Sequence, residues 1–433
     1  MRDLLKHKKL ATNPFILFAP FLILYFVLVI IFPTHGNVGD ENRYLLYAEY
    51  MINGFHPASP TDFDYLGNGP GYSFILIPLV ALHLPLVCIT ILNALFYYFS
   101  IIFLFKTVLI FTSYYKALII GLFWACFYNL YELIILITPE PLCVFLICLF
   151  IFYLSKAFGT EKSKKYIILS GLIFGCIAFT KPIFGYVMLC LFIGLALLRI
   201  INWKVINYKK AILILSFAFV TTAPYLLYTY NLTGKIFYWS TFGGNNLYWM
   251  STPFKNEYGD WFRDPRPDEY QSKSNKLIRG YGDSLRANHS SDFKEIDKYQ
   301  GVERDEMYRK YAVNNIKSYP LKYLRNCINN LGRIFFNYPY SYTIQNSKTL
   351  MRLPLNGIML VLMVFCIIPT LINWKKISFL IRFLLFFALL YLGGCVFASA
   401  ETRMFTVIVP VFLLWIGFIM EKSIKLNIKK WSE

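Results

Sequence analysis

Long apolar runs separated by short polar turns dominate the first half of this chain and return at its C-terminal end. A helix needs about 20 residues to cross about 30 Å of hydrocarbon. On that measure spans are predicted at Pro14 to Phe32, Leu86 to Phe111, Ala117 to Ile137, Leu142 to Leu154, Tyr166 to Thr180, Pro182 to Leu198 and Ala211 to Tyr230. Three more follow at Pro354 to Ile372, Ile377 to Ala398 and Met404 to Met420. Tyr72 to Leu84 is apolar but short, with Pro78 inside it and Pro85 behind it. Only one crossing fits between Gly71 and Phe111, so 72–84 is expected to be a re-entrant or broken half-helix whose backbone protein covers.

Basic turns set the direction of each span. Arg2, Lys6, Lys8 and Lys9 precede the first; Lys156 to Lys165, Arg199 to Lys210, and Lys375 with Lys376 separate later ones. A Lys-rich tail runs from Lys422 to Lys430. Such residues mark the cytoplasmic side. The fold expected is an all-α polytopic membrane protein with about ten crossings, both termini cytoplasmic and a large outer-face loop domain. Its parts are an N-terminal transmembrane module (1–230) with a first outer loop (33–70), an outer loop domain (231–353), and closing helices with a basic tail (354–433). No internal repeat of the inverted-repeat transporter kind is visible.

Composition agrees with a membrane protein: 57% of residues are hydrophobic and 15% charged, against about a quarter charged in soluble domains. The net charge of +19 does not indicate nucleic acid, because much of the excess lies in cytoplasmic turns. Of nine cysteines only Cys327 lies outside an apolar run, and no disulfide framework or metal site is indicated. The first span lacks a small-residue cleavage site and is expected to stay uncleaved. The region 231–352 holds 19 basic and 12 acidic residues, which does not conflict with an outer location, since long domains cross largely regardless of charge. Asp305 to Arg333 has helical spacing with mixed apolar and basic positions, which predicts helices along the interface.

This topology gathers Asp40, Glu41, Arg43, Glu140, Lys181, Glu401 and Arg403 at the outer face. The first loop also holds Glu49, Asp62 and Asp64. Carboxylates and cations beside hydrocarbon are costly, so such a cluster is a functional-site hypothesis. Basic groups there suit a lipid-linked phosphate, and an adjacent acid suits a general base acting on a hydroxyl. Each charge also has a plain structural use. Glu401 and Arg403 can tie two helix ends, Lys181 can snorkel to headgroups, and Glu140 can cap the helix that follows it. His35 and His56 have no evident partner. The aromatic stretch Ile236 to Trp261 reads equally as an interfacial belt or as surfaces that stack on sugars.

Several motifs, in order, resemble those of the GT-C membrane glycosyltransferases, in the branch containing protein O-mannosyltransferases and the lipid A aminoarabinose transferase. They are Asp40-Glu41-Asn42-Arg43-Tyr44; Gly171 to Pro182 (GLIFGCIAFTKP); Pro224 to Gly234 followed by Phe242 to Tyr248 (FGGNNLY); Tyr308 to Tyr323; and Glu401 to Pro410. Tyr230 and Asn68 to Gly71 depart from the family pattern. The resemblance implies a polyprenyl-phosphate-linked sugar as donor and a hydroxyl acceptor on a glycan, lipid A or protein. It implies Asp40 as the catalytic base with Glu41 beside it, and Arg43, Lys181 and Arg403 as ligands of the donor phosphate. Glu140, Glu401, Tyr44, Asn245 and Tyr248 would support them. No cofactor and no catalytic metal are expected. The outer face is periplasmic or luminal, and a bacterial inner membrane is preferred, because Asn231-Leu232-Thr233 and Asn288-His289-Ser290 would otherwise invite glycosylation beside the site. The rival readings are an O-antigen or capsule polymerase using lipid diphosphate-linked oligosaccharides, and a lipid-linked sugar flippase or transporter.

Overall fold

The computed structural model describes residues 13–36, 40–54, 64–159, 163–200, 207–262, 281–342 and 348–423. Arg2, Lys6, Lys8, Lys9, His56, Asp62 and the tail from residue 424 lie outside them. Among the described residues every regular element is helical.

The chain begins with α1 (Pro14–Leu17) and α2 (Ala19–Ile31), then α3 (Glu41–Ile52) and α4 (Pro70–Ala81). A long helix α5 (Leu86–Phe111) leads to α6 (Tyr114–Ala125) and α7 (Tyr128–Ile134). Then come α8 (Glu140–Gly159), α9 (Lys164–Thr180), α10 (Ile183–Ile200) and α11 (Tyr208–Thr233). The hydrophilic region folds as α12 (Gly243–Met250), α13 (Tyr281–Ile296), α14 (Gly301–Ser318) and α15 (Pro320–Phe336). The last three helices are α16 (Lys348–Ile372), α17 (Phe379–Ala398) and α18 (Thr402–Ser423).

Seven helices among the described residues are long and apolar enough to cross a membrane, and the bent pair α6–α7 makes an eighth. The chain is a multi-pass membrane protein. The two further crossings in the expected count of about ten are shorter, α2 with 13 residues and α9 with 17. Helix α9 is nevertheless packed against both α8 and α11. Gly171 and Gly175 make the second contact possible: a Cβ on Gly171 would lie 2.7 Å from the Ile214 carbonyl, and one on Gly175 2.5 Å from Thr221 Cβ. Small residues one turn apart are the usual way for membrane helices to bring their backbones close. This packing sets Lys181, at the end of α9, beside Glu140 at the start of α8.

The predicted single span Ala117 to Ile137 is instead broken, with a bend of 48° between α6 and α7. The break frees the carbonyl of Ala125, which buried in an apolar core must find donors. Tyrosine hydroxyls supply them, from Tyr25 at 2.7 Å and Tyr131 at 2.8 Å, while Tyr97 donates to the neighbouring Trp124 carbonyl and lies 3.1 Å from that of Ala125. Helix α4 starts beside Thr180, at the end of α9, and residues 82–85 return it to Leu86, whose side chain lies against Gly36. It is a short apolar helix of 12 residues.

Helix α15 is amphipathic with its polar side inward. Leu321, Leu324, Ile328 and Leu331 are exposed, whereas Asn326, Asn330 and Arg333 are wholly buried. An exposed apolar stripe suits a helix lying on the membrane surface. Its buried side stitches the hydrophilic region to the bundle. Asn326 donates to the carbonyls of Met250 and Thr252 at 3.0 and 3.2 Å. Asn330 donates to Val396 O at 2.8 Å and Tyr323 to Phe397 O at 2.7 Å. The last two satisfy carbonyls that the end of α17 leaves unpaired. They fix the turn 399–401, just before Arg403.

Candidate active site

Six charged side chains from four segments meet where α8 and α18 begin and α9 ends. Asp40, at the cap of α3, takes Arg43 on Oδ1 and Arg403 Nη1 on Oδ2, the latter at 3.0 Å. Arg403 turns its Nε to Glu401 Oε2 at 2.8 Å and lies 3.9 Å from Glu140 Oε1. Glu140 in turn accepts Lys181 Nζ at 2.9 Å. The result is a chain of alternating sign, Arg43–Asp40–Arg403–Glu140–Lys181, with Glu401 attached at its middle.

Exposure grades along that chain. The carboxylate of Glu140 is 1% exposed and Lys181 14%, whereas Asp40, Arg403 and Arg43 lie between 20% and 28%. The inner end is a buried ion pair and the outer end opens to solvent. Neither arginine is exhausted by its partners, since a guanidinium carries five N–H donors. Burial alone would raise the pKa of Asp40, but Arg403 and Arg43 outweigh it and hold the group down at about 2. Asp40 is therefore a carboxylate at every physiological pH.

Glu41 is fully buried and points its Oε1 to Thr34 Oγ1 at 2.6 Å and to the amide of Ile137 at 2.8 Å. It fastens the loop that carries Asp40 to the turn that carries Glu140. Tyr44 sits edge-on to Tyr72, with ring centroids 5.3 Å apart, and burial pushes its phenol pKa well up. Arg43 lies over the ring of Phe242, its Cζ 4.7 Å from the centroid. That contact brings the opening of the hydrophilic region to the cluster, and Phe242 had been visible in the sequence only as the start of a motif.

Asn245 and Tyr248 do not join the cluster. The amide of Asn245 is held by Asp305 Oδ1 at 3.2 Å. Tyr248 lies in the core of the hydrophilic region, its hydroxyl 2.7 Å from His289 Nδ1 and donating to Asp292 Oδ2 at 2.9 Å. On the far side of that imidazole, His289 Nε2 is 2.9 Å from Glu257 Oε2. Both candidates belong to the scaffold of that region. A second half-buried ion pair, Arg352 with Glu132, joins α16 to α7; neither residue was among the candidates read from the sequence, although an acid inside the apolar run Ala117 to Ile137 marks such a site.

No protein-family model and no curated protein sequence matches the chain. Among solved structures it is similar to the archaeal oligosaccharyltransferase AglB from Archaeoglobus fulgidus, in complex with an inhibitory peptide and a dolichol-phosphate, with 11% identity and a TM-score of 0.48 over 93% of this chain and 50% of that one. It is also similar to ArnT from Cupriavidus metallidurans bound to undecaprenyl phosphate, with 12% identity and a TM-score of 0.42 over 95% of this chain and 78% of that one. The chain thus spans half the length of the AglB chain.

Proposed function

We propose that this protein is an inverting GT-C glycosyltransferase. It takes a sugar from a polyprenyl-phosphate carrier and passes it to an acceptor hydroxyl at the outer face of a bacterial inner membrane. The observation that carries this reading is the convergence of Arg43, Arg403 and Lys181, from three distant parts of the chain, in one alternating series with Asp40 and Glu140 at the ends of apolar helices.

In the reaction the acceptor oxygen attacks the anomeric carbon while its proton passes to Asp40. The new C–O bond forms on the face opposite the leaving group, and the bond from that carbon to the phosphate oxygen breaks. Negative charge builds on the departing phosphate, where fixed cations in a water-poor site stabilise it most. Arg43 and Arg403 offer planar pairs of donors matched to phosphate, and Lys181 offers a point charge. Glu401 and Glu140 hold two of these cations in place before substrate arrives. Glu41 acts at one remove, by fixing the loop that positions Asp40.

The basic turns fit this orientation. Lys116, Lys156, Lys164, Lys165, Lys375 and Lys376 cap the bundle at the end away from the cluster, the arrangement of a cytoplasmic surface. The test is donor choice by the full chain in lipid nanodiscs. A labelled polyprenyl monophosphate sugar should be turned over at a rate that EDTA leaves unchanged. Turnover of only a diphosphate-linked oligosaccharide, or movement of the lipid-linked sugar across the membrane without bond cleavage, would overturn the reading.

A further inference from the structure

A cavity of about 300 Å³ lies between α10, the turn after α11, and α14. Tyr186, Lys235, Tyr238, Asp305, Glu306 and Arg309 line it. Its volume is at the small end of ligand pockets. Its charges come in matched pairs: Lys235 bonds Glu306, and Arg309 lies 3.6 Å from Asp305. Tyr238 is 8% exposed and its hydroxyl has no hydrogen-bond partner. A buried, unpartnered polar group is costly unless something supplies the missing bond.

The cavity adjoins the charged cluster through three consecutive residues. Phe242 lies against Arg43. Gly243 faces Arg309, where a Cβ would sit 3.5 Å from Nη2. Gly244 donates its amide to Asp305 at 2.6 Å. A Cβ on Gly244 would overlap the Asp305 backbone, so this wall requires glycine. Neighbouring Cα atoms are about 3.8 Å apart, so Gly243, which faces Arg309 on the cavity wall, is one residue along the chain from the ring packed on Arg43.

We infer that this cavity binds the acceptor, and that the acceptor is a neutral, hydroxyl-rich glycan rather than a phosphorylated lipid headgroup. This rests on the glycosyltransferase reading and narrows it. An anion entering the cavity would meet two carboxylates for its two cations and gain little. A sugar hydroxyl both donates and accepts, so it can engage the carboxylates of Asp305 and Glu306 and the N–H groups of Arg309 and Lys235 together. The Tyr186 ring, half exposed on the wall, offers an apolar face to the C–H side of a sugar. Burial, opposed by Arg309 and the two amides, holds Asp305 up at about 6, so its carboxyl changes protonation close to neutral pH.

The test uses the full chain in nanodiscs free of sugar-based detergent. Saturation-transfer NMR reads the binding of lactose, maltotriose and chitotriose, with inorganic phosphate as competitor. At least one neutral sugar should bind, phosphate should not displace it, and Tyr186→Ala and Arg309→Ala should each weaken it about tenfold, the loss expected for one hydrogen-bonded or packed contact. Polyprenyl phosphate binding should be unaffected by either variant. Absence of sugar binding, displacement by phosphate, or binding that neither variant weakens would overturn the inference. Wild-type protein that binds sugars but not polyprenyl phosphate would defeat the donor reading and leave the cavity assignment standing.

Discussion

Asp40→Asn should lower sugar transfer by about 10²- to 10⁴-fold, the usual contribution of a general base, while binding of the carrier phosphate holds or tightens. The substitution keeps the shape and leaves an oxygen able to accept from Arg43 or Arg403. It removes the proton acceptor and one negative charge. Asp40 is the carboxylate that both arginines share, so its loss leaves them more attractive to an incoming phosphate. Radiolabel transfer and equilibrium binding on one nanodisc preparation separate the two effects. A rate within tenfold of wild type, or parallel losses of rate and binding, would remove Asp40 from the role of base.

The pH dependence has a definite sign. Asp40 has its carboxyl lowered to about 2, so the stabilisation it gains from the arginines is complete above its ordinary value near about 4. That stabilisation is lost only as pH falls through about 2. Between pH 5 and 8 wild type and Asp40→Asn should therefore show the same trend of stability with pH, although their rates differ throughout.

Lys181→Met should destabilise the fold by about 3–5 kcal/mol, the range for stripping one partner from a buried ion pair. Glu140 is 1% exposed, and without Lys181 it keeps only Arg403, 3.9 Å away. Its Oε2 already lacks a hydrogen-bond partner. Adding Glu140→Gln to Lys181→Met removes the stranded charge and should recover most of the stability, because a buried ion pair often adds little over neutral neighbours. Transfer should not recover, since the point charge for the leaving phosphate is still missing. Thermal unfolding and the transfer assay on single and double variants give the two readouts. If the double variant regains both, Lys181 is a structural ion only.

Much of this was open to a reader of the sequence. The apolar runs mark α8, α17 and α18, and the basic turns place Asp40, Glu140, Lys181, Glu401 and Arg403 at one end of the bundle. What topology does not provide is pairing. That Lys181 would meet Glu140, and that Arg403 would sit between three carboxylates, depends on the close approach of α9 to α11 and on the clamp of α15 over the end of α17. The break after Ala125 had no local mark, since neither proline nor glycine stands there; the tyrosines that satisfy it come partly from Tyr25 and Tyr97, far off in sequence. Asn245 and Tyr248 were misplaced for a related reason. Their motif reaches the site through Phe242, and the helical turn that follows seats Tyr248 in the core of the hydrophilic region and gives the main-chain N–H of Asn245 to Asp305.

The decisive measurement is a structure of the full chain in nanodiscs with polyprenyl phosphate bound. Phosphate oxygens should lie about 3 Å from nitrogens of Arg43, Arg403 or Lys181, the distance of a charge-assisted hydrogen bond, with the prenyl chain running down the outside of the bundle. A phosphate seated against Lys235 and Arg309 instead, or beside Lys116 and Lys156 at the other end, would contradict the assignment of this cluster as the place where the carrier is cleaved.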